Sequence, residues 1–355
     1  MFTRRNFLAS LAAASLAPKL SAEDTKLRTK IKLGFDNFAI RAMGWKASQI
    51  LDHAASLRCD SLFISDIDSY ESLEDSALAE VRRKAADLGI DLYAGGWSIC
   101  PTSVRFKKTW GTAEEHLRTG IRVAKALGSP VYRCILGGAE DRKTPGGIRA
   151  RIADTLAVLK ACRSAAMDAG VKVAVENHAG DMHSWELRDL VEEAGADYVG
   201  VCIDSGNAAW TLEDPQDVLE NLGKYTIVSS LRDDMIWETE DGASVQWTAA
   251  GEGLIDWKKY AARWAGLCPN IPIHIETISG FAKNFPYRKP EFWEHYDKRP
   301  EALAHFEALA KRGHAIAPFK ADGPDKKKLE QEYQKAELAR SLKYLREVIG
   351  LGVKA

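Results

Sequence analysis

From Lys30 onward the chain repeats one pattern, a short apolar β-branched run followed by an amphipathic helical stretch. The runs are IKLGF (31–35), SLFIS (61–65), DLYAGGW (91–97), PVYRCIL (130–136), VKVAV (171–175), VGVCI (199–203), TIVSSL (226–231) and IPIHI (271–275). Segments such as SALAEVRRKAADLG (76–89), EEHLRTGIRVAKALG (114–128) and GIRARIADTLAVLKACRSAAMDAG (147–170) read as the intervening helices. Gly89, Gly128, Gly170 and Gly195 stand where a helix must end before the next strand. Repeated strand–helix units with almost no hairpin signal predict a parallel sheet, because parallel neighbours need crossover connections. Eight such units are most economically closed into a (β/α)8 TIM barrel. An open doubly wound sheet is the alternative, but IKLGFDNFAI carries no G-x-G-x-x-G after the first strand.

One α/β domain over residues 30–355 accommodates all eight units, and a hydrophobic content of 46% is ample for its core. The regular alternation breaks at 280–325, where Phe281, Phe285, Tyr287, Phe292, Trp293 and Tyr296 are punctuated by prolines. An amphipathic helix over 327–350 follows, so the interruption reads as an extended eighth βα loop, either a lid over the pocket or packing outside the barrel. Residues 1–22 read as a leader: Arg4-Arg5 precede a short apolar run, and Leu20-Ser21-Ala22 offers small residues for cleavage. This resembles a twin-arginine export signal, with a periplasmic or exported mature chain and no stable membrane insertion after cleavage. An amphipathic or disordered arm is the alternative. A formal net charge of −1 suggests no broad attraction to nucleic acid or to an anionic membrane. Six scattered cysteines with no C-x-x-C pair read as small core residues.

Three acids end three of the predicted strands: Glu176 in VKVAVENH, Asp204 in VGVCIDSGN and Glu276 in IPIHIETIS. Converging buried carboxylates repel one another unless a positive charge lies between them, which points to a divalent metal. Side chains two apart share a face of a strand, so His178 can lean toward the pocket of Glu176, His274 lies a layer below Glu276, and Ser230 and Arg232 share a face. Each has a plainer reading: Asp204 before Ser-Gly-Asn suits a helix N-cap, His178 a loop support, His274 a core histidine and Arg232 a structural salt bridge.

The order ENH, D-S-G-N and H-x-E-T, followed by a long terminal helix, resembles the xylose isomerase-like barrels, in particular their ketose 3-epimerase-like branch. GEGLIDW (251–257) is similar to a segment that follows strand seven there. The resemblance implies one divalent ion (Mn, Mg, Co or Zn) held by a Glu, an Asp, a His and a Glu from strands five to eight. Glu176, Asp204 and Glu276 match three of those positions. Ser230 stands at the histidine position, and Asn207 where epimerases often carry a substrate-binding histidine. The fourth ligand would then be His178 or Gln246, or water; otherwise the ion is lost and Arg232 serves as the electrophile. A retained metal with Glu176, Asp204, Glu276 and Gln246 as ligands is the expectation.

The chemistry so implied is proton abstraction beside a carbonyl of a non-phosphorylated sugar or keto-sugar, through an enediolate. Glu176 and Glu276 would exchange the proton; His178, Arg232, Asn207 and Trp97 would bind substrate, although Trp97 equally suits a core position. The same apparatus would expel a leaving group from a 3-keto-glycoside, making a lyase. A small-molecule sugar is the expected partner, a homo-oligomer is compatible with the sequence, and nucleic acid is not expected. An endonuclease of the same fold uses a multi-histidine zinc cluster, for which eight histidines are few. A metal-free sugar-binding protein is the non-enzymatic alternative.

Overall fold

In the computed structural model, which describes residues 31–354, eight parallel strands are ordered β10-β1-β2-β3-β4-β5-β6-β7. They are β1 (Leu33–Asp36), β2 (Ser61–Ile64), β3 (Asp91–Ser98), β4 (Val131–Ile135), β5 (Lys172–Glu176), β6 (Val199–Ile203), β7 (Thr226–Ser229) and β10 (Ile273–Ile275). Leu231, just past β7, closes the ring: its N–H donates to the His274 carbonyl at 2.7 Å and its carbonyl accepts from Glu276 N–H at 2.8 Å. The expected (β/α)8 barrel is therefore the fold. The leader assigned to residues 1–22 lies outside the described residues.

The alternation of strand side chains sorts the core into two layers. Outward residues such as Leu33, Val173, Val175, Val201 and Ile273 pack with the surrounding helices. Inward residues Phe63, Tyr93, Ala174, Cys202 and Val228 fill the barrel interior. One step further along the same parity lie Asp36, Ser65, Glu176, Asp204, Ser230 and Glu276, so the layer above the apolar plug is polar. The cysteines are all unpaired and buried, as small core residues.

Between β7 and β10 the chain departs from the simple repeat. β8 (Asp233–Thr239) and β9 (Gly242–Thr248) form an antiparallel hairpin, with Thr239 opposite Gly242 across a two-residue turn. The two turn residues are Glu240 and Asp241, with no glycine between the paired ends, so the sequence carries no Asn-Gly or Asp-Gly turn signal for this hairpin. β11 (Lys283–Phe285) adds a third strand from the segment after β10. Trp210, Trp247, Phe285, Trp293 and Phe306 make a second, smaller core with this sheet. The terminal helix runs over Lys326–Tyr344 and continues as one wider turn to Ile349, capped by Gly350 at φ 88°.

Candidate active site

Arg133 is the first unexpected member of the polar layer. It points inward from β4, where Gly95 on β3 leaves room for it; a Cβ on Gly95 would lie 3.1 Å from the Arg133 Cβ. Its Nε donates to Glu176 Oε2 at 2.5 Å and its Nη1 to the Gly96 carbonyl at 2.8 Å. Burial alone would raise the Glu176 carboxyl, but Arg133, with His178 and Arg232, holds it below the usual range.

Asp204 has two roles. Its Oδ1 accepts from the N–H groups of Gly206 (2.8 Å) and Asn207 (3.0 Å), capping the short turn that follows β6. Its Oδ2 accepts from Asn207 Nδ2 at 2.7 Å and from Arg232. Burial pushes this carboxyl up to about 7 despite Arg232, and the Glu176 charge adds to the rise. Arg232 also bonds Glu276, so one guanidinium ties the ends of β6 and β10 together. Its plane lies over the Trp247 ring at 4.3 Å. Gly206 permits that approach, because a Cβ there would stand 2.2 Å from Arg232 Cγ and 2.9 Å from Trp247 Cδ1.

Ser230, at the expected histidine position, donates to Asp36 Oδ2 at 3.0 Å, and Ser65 donates to Asp36 Oδ1 at 2.5 Å. Asp36 is a fourth buried acid of this layer; burial raises its carboxyl, against the pull of Arg133. His178 Nδ1 lies 2.6 Å from the Gly137 carbonyl. A carbonyl only accepts, so Nδ1 carries the proton and Nε2 is left with its lone pair. Burial pulls the imidazole down to about 4, although Glu176 opposes the shift. His178 is therefore neutral at neutral pH. His274 is fully buried between Phe63 and Tyr93, with no hydrogen bond to either ring nitrogen, and serves as barrel filling.

A cavity of about 390 Å³ opens above this layer at the C-terminal ends of the strands. Glu276, Arg232, Arg133, His178, Asn207 and Trp97 all line it. Trp210 and Trp247, stacked 4.6 Å apart, form its apolar wall with Phe281 from the segment after β10. Glu176 and Asp204 are fully buried and lie beneath Arg133, Asn207 and Arg232 rather than on the cavity surface. Sequence reasoning missed Arg133, Asp36 and the Trp210–Trp247 pair. The signals were an arginine interrupting PVYRCIL and an acid ending strand one.

The expected divalent site does not take shape among these side chains. Among the described residues no group of three or more His, Cys, Asp or Glu is arranged to hold a metal ion. Each of the three expected carboxylate ligands faces a guanidinium instead, Ser230 is engaged by Asp36, and Gln246 takes the opposite strand face from Trp247, away from the cavity lining. Arg133 and Arg232 thus lie beside the acids for which an ion was expected.

The xylose isomerase-like TIM barrel family model matches residues 39–279. The chain belongs to that family. A curated relative is 3-oxo-isoapionate decarboxylase of Pectobacterium atrosepticum, 22% identical over 228 residues, 61% of this chain and 75% of the relative. Among solved structures, D-psicose 3-epimerase in the presence of D-fructose aligns with a TM-score of 0.58 at 15% identity, covering 90% of this chain and all of that one. The IOLI protein with a bound zinc atom aligns at 0.56 and 15%, covering 81% of this chain and all of that one. The structural neighbours thus include a sugar epimerase and a protein with a zinc atom, and at these identities the likeness establishes the barrel.

Proposed function

We propose that this chain is a carbohydrate enzyme that generates an enediolate beside a carbonyl of a non-phosphorylated sugar or keto-sugar. The observation that carries the proposal is Glu276 and Arg232 meeting at the floor of an aromatic-walled cavity. A carboxylate that removes the α-proton needs a neighbouring cation to receive the charge that develops on the carbonyl oxygen. Glu276 is the base, Arg232 with Arg133 stabilises the oxyanion, and neutral His178, through Nε2, is the second proton carrier. Trp97, Trp210 and Trp247 give the sugar its apolar wall, and Asn207 offers an unpartnered buried Oδ1. Glu176 and Asp204, which were expected to meet the substrate and a metal, hold Arg133 and Arg232 in place from below. Arg133 and Arg232 are each paired with a carboxylate, and Arg105 with Glu140 at 3.1 Å, which leaves Arg41 as the guanidinium of the lining without an ion-pair partner among the described residues.

The same kind of anion forms when a proton or carbon dioxide departs, and it is then either reprotonated or expels a β-leaving group, so epimerisation, decarboxylation and elimination are variants of one chemistry. The decarboxylase relative acts on a 3-oxo acid by its name, which supports a keto-sugar here. The proposal includes export: residues 1–22 read as a twin-arginine leader, with the mature enzyme acting outside the cytoplasm. Exchange of the α-proton in D2O, followed by NMR with a panel of ketoses and 3-keto-glycosides, tests the activity. Wild type exchanges and Glu276→Gln does not; exchange retained by a folded Glu276→Gln protein removes Glu276 from the base role.

A metal-bound form is the second reading, favoured by the zinc in the IOLI structure. Metal analysis of protein purified without chelator separates the two.

A further inference from the structure

A second cavity, also of about 390 Å³, lies beside the candidate active site. The two share Arg41, and the chain after β10 is the partition between them. Alternation divides its side chains: Glu276 and Ile278 face the first cavity, while Thr277 and Ser279 face the second. The far wall comes from the last helix and the segment before it, through Phe319, Ala321, Tyr333 and Glu337. These elements follow residue 279, where the family match ends.

The second cavity is built for a polar, uncharged ligand. Glu330 and Glu337 oppose an anion, and Arg41 opposes a cation. Thr277 is 1% exposed, and its hydroxyl has no hydrogen-bond partner. Glu337 is 2% exposed and sits within 3.3 Å of the Tyr333 hydroxyl, which lies 3.0 Å from Ser279 Oγ. Burial raises the Glu337 carboxyl, and its Oε1 accepts from the Tyr333 hydroxyl. Hydroxyls, a protonatable carboxyl and a Phe319–Tyr333 stack beside them are what a polyhydroxylated ring requires. Arg41 at the junction has no ion-pair partner among the described residues; its Nη1 donates to the Phe38 carbonyl at 3.1 Å and leaves the rest of the fork to bridge both chambers.

We propose that this cavity is a subsite for a second, uncharged sugar ring, so that the substrate is a disaccharide or glycoside with its keto-sugar over Glu276 and its other ring against Thr277, Tyr333 and Glu337. The inference rests on the sugar site proposed above. Calorimetric titration with fructose against lactulose, and with 3-keto-glucose against 3-keto-cellobiose, tests it. The expected result is a two-ring ligand bound at least about tenfold more tightly than its one-ring counterpart. Ala321→Trp, which fills the cavity, removes that advantage and leaves one-ring affinity within about twofold, and the milder Glu330→Ala reduces the advantage about threefold. Equal affinity for one and two rings in wild type, or an advantage that survives both variants, overturns the subsite while the sugar site stands. Binding of none of the four sugars overturns the sugar site, and the subsite with it.

Discussion

Removing Arg133 would strand Glu176, a fully buried carboxylate whose cationic neighbour is 2.5 Å away. Arg133→Met is expected to cost about 3–5 kcal/mol in urea unfolding, and Arg133→Met with Glu176→Leu to recover much of it, because the isolated charge and not the lost pair is the expensive state. His178 makes a pH-dependent contribution whose sign is set by burial. Its folded pKa of about 4 lies below the ordinary value of about 6.5. The unfolded chain therefore binds the proton first, and the contribution is complete above about pH 6.5 and lost as pH falls toward 4. Urea midpoints at pH 7 and pH 5 should move further apart in wild type than in His178→Gln. Glu176, Asp204 and Glu276 were legible because acids at strand ends are conspicuous in sequence. Their partners were not: an arginine inside an apolar strand gives no sign of which of three carboxylates it will meet.

At the scale of elements, Asp233 decides where the β8–β9 hairpin sits. Its carboxylate accepts from the N–H groups of Asp234 (2.9 Å), Gly251 (2.8 Å) and Ile255 (3.0 Å) and from the Trp257 indole (2.8 Å). The GEGLIDW segment is thus a docking strap for this hairpin, and Gly253 is needed because a Cβ would lie 2.3 Å from Asp233 Oδ1. Asp233→Ala should cost about 3 kcal/mol or more, as several buried donors lose one shared acceptor. It should also weaken sugar binding, since β9 carries Trp247, and tryptophan fluorescence would report both effects. Gly206→Ala is the local counterpart: the methyl would collide with Arg232 and Trp247, with about 1–3 kcal/mol of destabilisation and a loss of α-proton exchange. The eight barrel strands were readable because each is a separate apolar run. The hairpin was harder, because its short alternating strands compete with the strong parallel pattern on either side.

For the whole molecule, the charge at the barrel mouth separates a metal centre from an arginine centre. Four buried acids, Asp36, Glu176, Asp204 and Glu276, face two buried arginines, and burial lifts Asp36 and Asp204 toward their neutral forms. If the guanidiniums supply the positive charge, protein purified without chelator should hold less than stoichiometric divalent ion by mass spectrometry, and α-proton exchange should survive chelation; loss of exchange restored by one metal would reverse that assignment. By itself the sequence determined the barrel, the face that carries the chemistry and the three acids at strands five, six and eight, because local periodicity and strand parity are written residue by residue. Only the tertiary structure decided what lies between those acids. Arg133 and Arg232 reach them from other strands, Ser230 turns to Asp36, and the residues after β10 wall off a second chamber. Those are contacts between positions far apart in the chain, set by how a closed sheet brings its strand ends together.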